Sequence, residues 1–251
     1  SLVDFHEAMA GRAARTPYAM LATATHDHKR GEDARARLAV LSAVPQVWGS
    51  HVGRWLALAE EHADTVSPAD SYTLFQALVG AWEQGDETLL GRIHDWQRKA
   101  LREAKLRSSW EAPDEAYEER CHELATWLLQ SEDGAEFRHD FGRFMTRIAA
   151  AAEANTLAQT ALHLLAPGVP DIYQGCELLD YSMVDPDNRR PVNYAAMERA
   201  LADQGALPEL LAHWPDGRVK QATLTRLLAD RAARPAFYAE ADYRAIEATG
   251  P

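Results

Sequence analysis

The stretch Tyr18–Leu41, YAMLATATHDHKRGEDARARLAVL, passes from apolar to small to ionic residues within a short run. Its opening, Tyr18 to Thr23, has the length of a short strand, and its end, with Leu38, Val40 and Leu41, reads as a helix. Between them His26-Asp27-His28-Lys29-Arg30 leaves the core abruptly. One plain reading makes Asp27 the cap of the helix that follows. Lys29 and Arg30 would then lie in its first turn, where the helix dipole disfavours cations. A start near Gly31, with Glu32 and Asp33 in the first turn, suits the dipole better. That leaves residues 26 to 30 without a structural duty, the setting in which function is expected.

A second segment follows the same plan. Val169 to Tyr173, bounded by Pro167-Gly168 and Gly175, reads as a strand that empties into the polar run Gln174 to Arg190. In α/β barrels the chemistry sits on loops at the C-terminal ends of parallel strands. Two strands do not close a barrel. A third strand is expected to begin near Tyr243.

Helical period dominates the rest. Trp48, Val52, Trp55 and Ala59 form one stripe. Ser67-Pro68-Ala69-Asp70 is a helix start, with the stripe Tyr72, Phe75, Val79, Trp82 behind it. Leu89, Ile93, Trp96, Ala100 and Ala104 make another, with Asp95/Lys99 and Glu103/Arg107 as expected i,i+4 pairs. Pro113-Asp114-Glu115 opens a helix with Tyr117, Cys121, Leu124 and Leu128 inward. Phe137, Phe141, Phe144 and Ile148 mark the next, and Asn155 is expected to break and recap the chain before Leu157. Each stripe is one face wide, as helix packing requires.

The fold class is therefore mainly α: a fragment of a (β/α)8-barrel enzyme with a large helical insertion and two or three short strands. Residues 1–46 hold a barrel strand, its loop and a helix, and 47–154 the insertion. Residues 155–234 hold a helix, a strand, a second loop and the last helices, and 235–251 hold the expected third strand. Ser1-Leu2-Val3 has no signal-peptide layout and opens mid-pattern, as expected of a piece of something longer.

The 251 residues carry a net charge of −12, which argues against a nucleic-acid partner. No apolar run approaches the roughly 20 residues that span a bilayer. Two cysteines, far apart and in no metal-type spacing, fit a reducing cytosol.

Two chemistries suit the first loop. His26-x-His28 has the spacing of a metal pair at a strand end, although no further ligand stands in a comparable setting. Alternatively, Asp27 faces a sugar ring, where a carboxylate stabilises an oxocarbenium-like transition state and His26 donates to hydroxyls.

The segment MLATATHDHKRGEDARARLAVLS resembles the signature of the maltooligosyl trehalose synthase family, within the α-amylase superfamily. The family's usual form is Ser/Thr-His-Asp-Thr-Lys-Arg-Ser-Glu-Asp-Val-Arg-Ala-Arg. Thr25, His26, Asp27, Lys29, Arg30, Glu32, Asp33, Arg35 and Arg37 match it, while His28 and Gly31 depart. LAPGVPDIYQGCELLDYSMVDPDNRRPVNY is similar to the family's second loop, with Cys176 where Thr is usual. SSWEAPDEAYEE and NTLAQTALHLLAPG are similar as well, so the resemblance runs from about Phe5 to Tyr194. Arg218 to Pro235 and AEADYRAIEATGP resemble, more loosely, the family's last helix and the opening of its C-terminal β domain, so the resemblance implies a C-terminal portion whose residues 235–251 start that domain.

The resemblance implies roles. Asp27 corresponds to the transition-state stabiliser of three catalytic carboxylates, and His26 to a histidine on the sugar at the cleavage site. The nucleophile and the acid/base belong to earlier strands, so the chain by itself is expected to be inactive. Asp185 and Arg189 correspond to an Asp and an Arg that hold a sugar. Lys29 and Gln174 are further substrate contacts. The implied activity turns the reducing-end α-1,4 link of a maltooligosaccharide into an α,α-1,1 link, in the cytoplasm, with no metal or organic cofactor. The implied partners are that substrate and the upstream barrel half. Alternatives are another α-amylase-type hydrolase or transglycosylase, a non-catalytic helical interaction module, or the metal hydrolase.

Overall fold

The computed structural model describes residues 1–184, 187–203 and 205–246. In chain order the elements are α1 (Leu2–Arg15), β1 (Met20–Ala22), α2 (Glu32–Ala43), α3 (Pro45–His62), α4 (Pro68–Ala81), α5 (Leu89–Ala104), α6 (Glu115–Gln130) and α7 (Ala135–Leu165). Then come β2 (Val169–Asp171), a 3-10 turn at Asp187–Arg189, α8 (Tyr194–Ala202), α9 (Leu207–Ala212), a second 3-10 turn at Trp214–Asp216, α10 (Arg218–Ala233) and α11 (Pro235–Glu240). The fold is mainly helical, with two strands among the described residues. Both strands are shorter than their segments suggested. No strand occurs near Tyr243 within the described residues, because the chain from 241 to 246 is irregular.

Two compact units divide the chain. One comprises residues 26–155 and 180–191, the other 1–25, 156–179 and 192–251.

The first unit is a helical bundle whose core takes in the expected stripes of α3, α6 and the start of α7, whereas Tyr72, Trp82 and Ala100 are only half-buried, Ala104 is exposed, and α4 buries Leu74 and Leu78 instead. Trp48, Val52, Trp55 and Ala59 are the buried residues of α3. Trp55 packs edge-on against Phe75, Phe137 and Phe144, with ring centroids 5.4–5.8 Å apart. Such aromatic pairs add about 0.5–1.5 kcal/mol each beyond their area. Its indole donates to Asp140, which also accepts from Arg54, Arg143 and His51. Capping follows the sequence: Ser67 accepts from the Asp70 amide, and Asp114 from the Tyr117 amide.

Two local expectations are corrected in this unit. Asn155 neither breaks nor recaps the chain, because α7 is continuous. The Asn155 side chain donates to the Ala36 carbonyl at 3.0 Å, so it does not compete for its own backbone. The surface charges of α5 also pair differently. Lys99 meets Glu103 at 2.6 Å, Asp95 meets Arg98 at 3.5 Å, and Arg107 lies 3.8 Å from Asp70.

The second unit holds a parallel two-stranded sheet, with Met20 opposite Val169 and Ala22 opposite Asp171. His163 of α7 and the Leu21 carbonyl lie 2.6 Å apart, and Arg231 of α10 donates to the Leu164 and Gly168 carbonyls. Gly168 has φ of +140°, and a Cβ there would strike Leu21 and the Ala19 carbonyl, so glycine is required where the chain enters β2. A small core gathers Leu210, Trp214, Val219 and Ala222. α1 buries no residue, and Tyr18, Met20 and Val169 are exposed.

Candidate active site

The ionic loop lies in the helical unit, where α2 fixes its end. Gly31 is the N-cap and Glu32 and Asp33 occupy the first turn, as the charge pattern required. Asp27 does not cap the helix. The orphan amides of Asp33 and Ala34 instead point at the Asp180 carbonyl, and the Gly31 amide donates to the Ser182 carbonyl at 2.7 Å. Asp33 returns the contact by accepting from the Asp180 amide. A Cβ on Gly31 would collide with the Asp180 carbonyl, so these two backbone segments are in direct apposition. The 26–31 loop and the 180–191 loop thus form one assembly.

Asp27 is released for other use. Its Oδ1 accepts from Nη2 of Arg189 at 3.0 Å, and its Oδ2 lies 3.3 Å from Nε2 of His26. Arg189 Nε points at the His26 carbonyl at 3.3 Å, while the Asn188 amide donates to the carbonyls of His26 and His28. The Asp27 side chain is 71% exposed and that of Arg189 48%. A carboxylate, an imidazole and a guanidinium therefore converge at a solvent-open corner. Such a set can accept from hydroxyls, donate to them and stabilise positive charge.

His28 goes the other way. Its side chain is buried, with Nε2 3.1 Å from the Ser182 hydroxyl and 3.8 Å from the Asp180 carboxylate. Residues 26 and 27 form a turn, so alternate side chains do not share a face and the metal-pair reading loses its geometry. Among the described residues no group of three or more His, Cys, Asp or Glu side chains is arranged to hold a metal ion. Lys29 is exposed and bonds Glu103 at 3.3 Å. Hydrogen bonding to Lys99, and then to Lys29, outweighs burial and holds Glu103 below the usual carboxylate range.

The remaining candidates fall elsewhere. Gln174 belongs to the second unit, where it is exposed and faces the Tyr194 hydroxyl at 3.4 Å. Asp185 lies outside the described residues. Asn188 escaped the sequence reading, although it stands inside the quoted Asp-Pro-Asp-Asn-Arg-Arg run.

A cleft of about 510 Å³ elsewhere in the bundle is lined by His62, His94, His122 and Trp127 among others. Burial pushes both His94 and His122 down in pKa, and their rings stack at 4.5 Å. Its chemistry is separate from the Asp27 corner.

No family model matches the sequence. Over 255 aligned residues the chain is 39% identical to a Mycobacterium tuberculosis protein provisionally named maltooligosyl trehalose synthase, covering 99% of the chain and 30% of that protein. Its fold is similar to the crystal structure of a hypothetical maltooligosyl trehalose synthase from Sulfolobus tokodaii, with a TM-score of 0.82 at 29% identity. That match covers 99% of the chain and 33% of the other. The maltooligosyltrehalose synthase of Arthrobacter ramosus superposes with a TM-score of 0.77 at 35% identity, over 94% of the chain and 30% of its own length. The chain spans about 30% of the length of the curated relatives it matches. In sequence and in fold, nearly all of this chain is similar to a segment, about a third or less in length, of maltooligosyl trehalose synthases.

Proposed function

We propose that this chain is the C-terminal portion of a cytoplasmic maltooligosyl trehalose synthase and supplies part of its sugar site. The reaction is an intramolecular transglycosylation, formally an isomerisation, that converts the reducing-end α-1,4 link of a maltooligosaccharide into an α,α-1,1 link. Asp27 stabilises the oxocarbenium-like transition state, and His26 and Arg189 orient it and bind hydroxyls. Lys29, Gln174 and Asp185 contact substrate. Retaining chemistry also needs a nucleophile and an acid/base about 5–5.5 Å apart. Both come from the barrel half upstream, so the chain alone is inactive.

One observation carries the reading: Asp27 is held by Arg189 and His26 at an open corner while the amides of α2 are satisfied by the 180–182 backbone. The capping role that the plain reading gave Asp27 is filled instead by that backbone. The two-stranded sheet supports a larger whole, since parallel sheets are ordinarily covered on both faces and this one leaves Met20 and Val169 exposed.

The test is to incubate the full-length protein containing this chain with maltopentaose and follow reducing ends and product length together. Reducing ends should vanish with no shorter sugars formed. Accumulation of shorter reducing sugars would identify a hydrolase instead, and an unchanged substrate would reject the assignment.

A further inference from the structure

α5 carries a charge where its stripe demands an apolar residue. Arg92 is one turn from Leu89 and from Trp96, on the inward face, and its side chain is 6% exposed. Its guanidinium makes a two-pronged contact with Asp187: Nε donates to Oδ1 at 2.9 Å and Nη2 to Oδ2 at 3.0 Å. Nη2 also donates to the Tyr181 carbonyl, and Nη1 to Asp86 at 2.6 Å. Asp187 is equally buried and accepts from the Met183 amide at 2.8 Å, while Arg190 lies 2.9 Å from its Oδ1.

Burying such a pair forfeits the hydration of both ions, so its net contribution to stability is small. What a bidentate fork supplies is fixed geometry. The geometry here has an address. Asp187 opens the 3-10 turn Asp187–Arg189. From that turn Asn188 reaches the carbonyls of His26 and His28, and Arg189 reaches Asp27.

We infer that Arg92 is a positioning residue for the candidate sugar site: by clamping Asp187 it sets the turn from which Asn188 and Arg189 hold the Asp27 loop. The inference rests on the function proposed above. It links the helical bundle to the chemistry through one side chain that touches neither sugar nor Asp27.

The experiment is a double-mutant cycle in the full-length protein, with turnover of maltopentaose as readout. Arg92→Met should lower kcat/KM by roughly 10- to 100-fold, the scale expected when a positioned group is displaced by about 1 Å. Arg189→Ala should cost a similar factor. In the double variant the losses should not multiply, because Arg92 acts through Arg189. Arg92→Lys keeps the charge but loses the fork, and should recover less than about threefold of the loss. A role confined to holding the bundle together would lower the melting temperature and give losses that multiply, which would overturn the inference. So would a wild-type rate in Arg92→Met. Should Arg92→Met fail to fold, Asp187→Asn runs the same cycle from the other side of the pair. Asp27→Asn assayed alongside separates the two ideas: if it is inactive while Arg92→Met is not, only the positioning role falls. A fully active Asp27→Asn would remove the site and the clamp together.

Discussion

At the scale of the residue, the two histidines beside Asp27 take opposite surroundings. His26 is exposed beside the carboxylate, whereas His28 is buried against Ser182 and Asp180. His28→Ala leaves those buried polar groups short of a partner. It should lower unfolding free energy by about 1–3 kcal/mol, measured by denaturant titration. His26→Ala, an exposed change, should leave stability within about 0.5 kcal/mol. Residue pattern alone showed that the loop was unusual but not which imidazole points outward; the resemblance, not the pattern, singled out His26. Only the turn at 26–27 decides that, and turns in a short ionic run carry no period to read. Arg92 was legible in principle, as a guanidinium on an apolar stripe. Its partner is 95 residues away, a distance over which pattern reading has no reach.

At the scale of the element, the stripes of α3, α6 and the first half of α7 were legible because a 3.6-residue period forces one face inward, whereas α4 is buried on more than one face, so a single stripe missed Leu74 and Leu78. The surface pairs of α5 were not, since exposed charges have several partners within reach of each other. Asn155 failed as a breaker because its amide found a carbonyl on α2. One buried carboxylate ties α3 to α7. Burial opposes ionisation of Asp140, but bonds from Arg143, His51, Arg54 and Trp55 outweigh it and depress its pKa. A carboxyl depressed in the folded state stabilises above its unfolded value near 3.9, and that contribution fades as pH falls through the depressed value. Asp140→Asn should therefore cost about 1–3 kcal/mol at pH 7, and the gap to the parent should narrow below about pH 4. A gap that stayed constant across a pH series of melts would contradict this.

At the scale of the whole molecule, the sequence reading found the strand segments and the helical stretch between them, and the structure pairs those strands in parallel. The described residues hold no closed sheet, and on the reading proposed the nucleophile and acid/base lie elsewhere in the polypeptide. On the same reading the chain's contribution is an oriented carboxylate on a helical bundle, presented to a sugar that the rest of the polypeptide also grips. The decisive measurement is the turnover of maltopentaose by full-length Asp27→Asn, with oligosaccharide affinity measured in parallel. A drop in kcat of about 10³-fold or more, with affinity altered only a few-fold, is the predicted result for a group that acts in the transition state. Turnover close to that of the parent would contradict it.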